Sequence, residues 1–102
     1  MGASKAKQFT QEENELSIVA RALAHPARIA IVDHLKRNLT CRNVDLVSFL
    51  GLSKATVHQH ILKLQDANLI DFRYMKSSSY EITLNTDSME EFSDFVHQVT
   101  RD

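Results

Sequence analysis

A chain of 102 residues makes one domain with a thin core, so pairing with a second copy is a natural way to bury more apolar surface. With 43% hydrophobic and 25% charged residues, only 2 Gly and 1 Pro, the composition favours helices over a loop-rich or all-β fold. It also excludes a membrane span, because no apolar run approaches the ~20 residues one requires. The net charge of −1 hides an uneven spread: residues 21–76 hold nine Lys/Arg against four Asp/Glu, and 77–102 hold one against six. Phosphates respond to the local field rather than to the total, so the middle of the chain suits a nucleic acid. One cysteine cannot form an internal disulfide, and the N-terminal stretch lacks the apolar core of a signal peptide. Both fit a cytoplasmic protein.

Residues 1–10 show no apolar period and are expected to form a flexible arm, with a single domain over 11–102. Thr10 and Glu13 have capping-box spacing, and Leu16, Val19, Ala20 and Leu23 mark one face of a first helix. His25-Pro26 ends it, and Pro26 suits the first turn of the next. That second helix, through Ile29, Ile31, Val32 and Leu35, is apolar over more than one face and is expected to be central and most buried. Residues 37–40 read as a connection. A third helix over 43–50 should turn Val44, Val47 and Leu50 inward.

Gly51 suits a left-handed helix end, and Ser53 is a good N-cap for a fourth helix reaching about Ala67. Asn68 can terminate that helix in the left-handed conformation. Residues 69–76 and 79–85 then read as two strands with 77–79 at the hairpin tip; in the second, Tyr80, Ile82 and Leu84 alternate with Glu81 and Thr83. Thr86, Asp87 or Ser88 offers a cap to a last helix marked by Met89, Phe92, Phe95, Val96 and Val99. Two strands alone make no stable sheet, so the hairpin must pack on the helices as a wing. The expected fold is α+β, mainly helical: a winged helix-turn-helix in which helices precede a β-hairpin wing and a C-terminal helix, in a dimeric assembly.

Helix, glycine turn and capped helix over 46–64 form the layout of a DNA-reading unit. With Val57, Ile61 and Leu64 spaced to bury, Lys54, Ala55, Thr56, His58 and Gln59 face outward near the helix start, the end that enters a major groove. Lysine can donate to guanine O6/N7 and glutamine can pair with adenine N6/N7. Lys63, further along, suits a backbone phosphate. Arg73, Lys76 and Ser78 on the hairpin offer donors to phosphate or the minor groove, or form an ordinary surface loop. Arg28 and Arg42 suit phosphates or surface ion pairs. Cys41 beside Arg42 reads either as a thiolate redox sensor or as a small packed residue. Leu16, Val19 and Leu23 on the first helix, with Phe92, Phe95 and Val99 on the last, would form a two-fold interface unless both helices fold back on the core.

Residues 22–35, ALAHPARIAIVDHL, and 50–72, LGLSKATVHQHILKLQDANLIDF, resemble the corresponding segments of the ArsR/SmtB-type bacterial regulators, as does the strand Tyr80-Glu81-Ile82-Thr83-Leu84. The resemblance spans roughly 16–84. It implies a homodimeric winged-helix repressor, paired through its first and last helices on an imperfect palindrome, with Lys54, Ala55, Thr56, His58 and Gln59 at the base-contacting positions. The family's metal motifs do not carry over. Cys41-Arg42-Asn43-Val44-Asp45 lacks a second thiolate, and Asp94 and His97 do not form the Asp-x-His pattern. No metal, other cofactor or effector is therefore assigned. The functional expectation is a sequence-specific DNA-binding regulator with double-stranded DNA and a second copy as partners. The alternative is a winged helix used for protein–protein contact, which the acidic C-terminal segment favours. An enzyme fits poorly, since no nucleophile–base pair or phosphate-cradling glycine loop is present.

Overall fold

The computed structural model describes residues 8–101, so most of the expected arm lies outside the described residues. Among them, five helices and three strands follow in order: α1 (Gln11–Ala22), α2 (Pro26–Asn38), β1 (Thr40–Arg42), α3 (Asn43–Leu50), α4 (Lys54–Asp66), β2 (Ile70–Tyr74), β3 (Tyr80–Leu84) and α5 (Thr86–Thr100).

Local chemistry explains most of the boundaries. Thr10 Oγ1 accepts the Glu13 N–H at 3.0 Å, and Glu13 Oε1 accepts the Thr10 N–H at 2.9 Å. These bonds satisfy two donors that a helix start would otherwise orphan. His25 caps α2 through Nδ1, which accepts the Ala27 N–H at 3.0 Å. Gly51 ends α3 at φ 66°, where a side chain would be strained, and the Ser53 Oγ accepts the Thr56 N–H at 3.1 Å to open α4. Asn68 takes φ 61° after α4. In the hairpin, Ser77 and Ser78 have φ 59° and 63°, and the Ser79 N–H closes on the Lys76 carbonyl at 3.2 Å. This is the twist that matches a tight two-residue turn to its flanking strands.

The sheet has a third strand that the reading of 37–40 as a connection missed. β1 pairs antiparallel with β3, and the order is β1-β3-β2. Only Cys41 of its three residues turns inward, opposite Ile82, so the strand is too short to show an alternation.

Three further expectations need correction. Val44 is 40% exposed, whereas Asn43 and Leu46 are buried. Helix α3 follows β1 directly, and Asn43 is drawn inward because its Oδ1 accepts the Tyr80 N–H at 3.0 Å and its Nδ2 donates to the Ser78 carbonyl at 3.4 Å. Ile29 on α2 is 55% exposed, because α2 packs against α4, β1 and β3 and leaves its outer side in water. Helix α5 is capped by none of Thr86, Asp87 and Ser88. Its N-cap is Asn85, which makes no side-chain cap bond. Asn85 is tied instead to the preceding corner, its Nδ2 donating to the Asn68 carbonyl at 3.0 Å and its backbone N–H to Leu69 at 2.8 Å.

The core lies between α2, α3, α4 and the sheet. Ile31, Leu35, Leu46, Val57, Ile61, Leu64, Leu69, Ile70 and Ile82 are fully buried. Burying each such side chain contributes about 1.5–3 kcal/mol, which makes α4 the helix held most firmly. Helix α1 adds only Ala22 to this core, and α5 adds no buried residue.

Candidate nucleic-acid interface

The burial of Val57, Ile61 and Leu64 fixes the rotation of α4 and so decides what it shows to water. Lys54, Ala55, Thr56, Gln59 and Lys63 are all exposed. The Thr56 hydroxyl accepts from Ser53 Oγ at 2.9 Å and keeps its own proton to give. The first turn of α4 therefore offers a lysine, a hydroxyl and unpaired backbone N–H groups at the positive end of the helix dipole, a setting suited to an anion.

His58 departs from the outward row. It is half-buried, with Nδ1 2.7 Å from the Tyr80 hydroxyl and the two rings edge to face. Phe72 and Tyr74 continue the ring contacts from Tyr80 along the wing. Burial, with Tyr74 beside it, pushes the Tyr80 hydroxyl above the ordinary tyrosine range, so it keeps its proton. His58 thus joins α4 to the wing. Its outward placement failed because β3 brings Tyr80 from 22 residues away onto that side of the helix.

On the wing, Lys76 and Ser78 are exposed at the tip. Arg73 is also exposed, but its Nη2 donates to Glu81 Oε1 at 3.0 Å across the hairpin. The acidic stretch 77–102 therefore sends one carboxylate into the basic middle, a mixing that counting charges along the chain does not reveal. Arg42 likewise pairs with Asp45 at 3.6 Å. Tyr74, 69% exposed beside the tip, and Met75 were not singled out from the sequence. Their position next to Lys76 at the end of an alternating strand was the available signal.

Arg28 forms no ion pair among the described residues. Its Nε donates to His60 Nδ1 and its Nη1 to the Ala22 carbonyl, both at 3.2 Å. Cys41 is buried, and burial together with the Asp45 carboxylate pushes its thiol up to about 11, so it stays protonated and unreactive near neutrality. That supports the packed-residue reading over the redox-sensor one.

Leu16, Val19, Leu23 and Phe92 are half-buried, while Phe95 and Val99 are exposed. Helices α1 and α5 flank an open groove of about 590 Å³ whose floor includes Leu16, Val19, Ala67, Phe92 and Phe95 and whose rim carries Glu12, Glu15, Glu91 and Asp94. Among the described residues, no group of three or more His, Cys, Asp or Glu is placed to hold a metal ion, and no helix is long and apolar enough to cross a membrane.

Helices packed around the Ser53-capped α4, with a hairpin at its flank and a closing helix, define a winged helix-turn-helix domain. Residues 26–71 match the family described as winged helix-turn-helix DNA-binding. Solved structures share the architecture across nearly the whole chain. An ArsR family transcriptional regulator superposes with a TM-score of 0.77 at 18% identity, covering 88% of this chain and 91% of its own. HlyU from Vibrio cholerae gives 0.71 at 21% identity, covering 92% and 100%. An ArsR-like transcriptional regulator from Rhodococcus sp. RHA1 gives 0.74 at 18% identity, covering 88% and 83%. At these identities the likeness is one of fold. No curated protein matches the sequence.

Proposed function

We propose that this chain is a sequence-specific DNA-binding transcriptional regulator that acts in the cytoplasm as a homodimeric repressor on a two-fold symmetric operator. The observation that carries the reading is the row Lys54, Ala55, Thr56 and Gln59, exposed on the first turns of a Ser53-capped helix whose other face is locked into the core. Seated in a major groove, Lys54 donates to guanine, Gln59 pairs with adenine and Ala55 meets a thymine methyl. Lys63 engages a phosphate, and Lys76 and Ser78, with Arg73 once it exchanges Glu81 for phosphate, straddle the neighbouring backbone. His58 supports this surface from behind by holding the wing.

The dimer reading rests on α5. It is a 15-residue helix with an apolar stripe and no buried residue, beside a groove floored by Leu16, Val19, Phe92 and Phe95. A second copy covers these residues, together with Leu23 and Val99, and sets two α4 helices about 34 Å apart, one turn of DNA. Two of the solved structures of like fold, the ArsR family and ArsR-like ones, are named as transcriptional regulators, which agrees with this reading.

The test is fluorescence anisotropy of the full chain with duplexes selected from a random library, read at several salt concentrations. Binding that survives excess random competitor and weakens with salt is expected. If no duplex meets both criteria, the domain is not a sequence-specific DNA reader and the protein-contact use of the fold takes its place.

A further inference from the structure

Where α1 meets α2, on the inner side of α4, the structure gathers three nitrogen-bearing side chains that the DNA surface leaves unused. The rings of His25 and His60 lie 4.4 Å apart, centre to centre. The Nδ1 atom of each faces a donor that cannot reverse its role: the Ala27 backbone N–H at 3.0 Å for His25, and the Arg28 Nε–H at 3.2 Å for His60. A peptide N–H and a guanidinium have no lone pair to offer. Both Nδ1 atoms must therefore carry lone pairs, and both rings must be neutral with their proton on Nε2.

An imidazolium carries N–H at both positions. A proton added to either ring would turn an accepting contact into two opposed donors, next to a guanidinium that never loses its charge. Arg28 also donates to the Ala22 carbonyl at 3.2 Å, so the same side chain joins the last turn of α1 to the middle of α4. The groups facing His60 are His25 at the N-cap of α2, Arg28 from α2 and, through Arg28, the Ala22 end of α1. The nearest charged residues along α1 and α4, Arg21 and Lys63, are cationic as well. None of the ion pairs among the described residues includes His25, Arg28 or His60, so no carboxylate there offsets an added charge.

We propose that His25, Arg28 and His60 form a proton-operated catch on the recognition helix, closed while both imidazoles are neutral and opened when either takes up a proton. Its effect on DNA rests on the function proposed above; the catch itself does not. Burial, then His25, then Arg28 hold His60 below the ordinary histidine range. The folded state therefore favours the neutral ring. The stabilisation is fully present above the unfolded value of about 6.5 and is lost as pH falls through the lower folded value. Opening frees α4 from the α1–α2 corner, so DNA affinity falls on acidification. Protonation of exposed histidines near DNA would act in the opposite sense, by strengthening phosphate attraction.

Two measurements on the full chain decide the matter. The first is 15N imidazole NMR through a pH titration, with amide exchange of α4 read alongside. Both rings are expected as Nε2–H tautomers at neutral pH, with His60 titrating below the ordinary range together with loss of α4 protection. An Nδ1–H tautomer at either ring, or titration of His60 in the ordinary range with α4 unaffected, would overturn the catch. The second compares wild type with the pair His25→Asn and His60→Gln, which keep acceptors in place but cannot take a proton. On a library-selected duplex, wild-type affinity should drop about tenfold between about pH 7.5 and 5.5, the scale of losing one or two such hydrogen bonds, and the variant should not follow. A parallel drop in both proteins would overturn the proposal. If the wild type binds no duplex at neutral pH, the DNA reading fails and the NMR result alone decides the catch; it also decides if the variant does not fold.

Discussion

Helices α4 and α5 are near equals in length, 13 and 15 residues, and each carries an apolar stripe, yet their stripes meet opposite fates. Val57, Ile61 and Leu64 of α4 vanish into a core shared with α2, α3 and the sheet, whereas α5 has no buried residue and leaves Val99 64% exposed. Their charges differ too: α4 shows Lys54 and Lys63 to water, while α5 bears Asp87, Glu90, Glu91 and Asp94. The contrast separates two tasks for an amphipathic helix. Helix α4 uses its apolar side to fix the orientation of a polar one, whereas α5 leaves most of its apolar side open to water, as the proposed dimer requires.

The largest expected effect tests that separation directly. Ile61→Ala should lower unfolding free energy by about 2–5 kcal/mol in urea titrations, as for a fully enclosed side chain. Phe95→Ser should leave the monomer's stability nearly unchanged at high dilution and instead weaken self-association in sedimentation equilibrium. If both substitutions destabilise the monomer alike, α5 belongs to the core and the contrast fails.

Next in size are effects on DNA. Gln59→Ala should cost about 1–3 kcal/mol on the selected duplex and little on random DNA. Lys63→Ala should weaken all duplexes alike and lower the salt slope by about one. Competition anisotropy on both duplex types checks the pair, and equal losses for the two variants would reverse their assigned roles. Gly51→Ala comes next. No heavy atom lies within 4 Å of an added Cβ, so only the left-handed backbone at φ 66° opposes it, at about 1 kcal/mol in a thermal or urea melt. The smallest effect is predicted for Val44→Thr, within about 0.5 kcal/mol, because this side of α3 faces water. A large loss there would restore the inward stripe expected from spacing alone.

What could be read from the sequence was what short-range chemistry decides. The Thr10–Glu13 box, the His25-Pro26 junction, Gly51, Ser53 and Asn68 each act within a few residues, and the alternation of Tyr80, Ile82 and Leu84 needs only its own strand. What escaped was decided across the fold. Asn43 turns inward for partners 35 and 37 residues away, and His58 turns aside for Tyr80. Strand β1 exists because β3 lends it a ladder. In the candidate interface, the exposure of Lys54, Ala55, Thr56, Gln59 and Lys63 followed from helical period. The Arg73–Glu81 pairing and the cluster around Arg28 required the topology.

The two bonds made by Asn43 have a mechanical consequence. One buried amide holds both the first residue of β3 and the carbonyl of the turn, so the wing tip is fastened to the start of α3 at a single point. Together with the His58–Tyr80 contact, these bonds tie the wing to the helix-turn-helix and restrict the span between Lys76 and Gln59. The entropy of ordering that span is lost during folding rather than on contact, which leaves less freedom to surrender when a partner surface arrives. The Tyr80 amide should accordingly exchange with solvent as slowly as those of the core, although it begins a strand at the edge of an exposed loop.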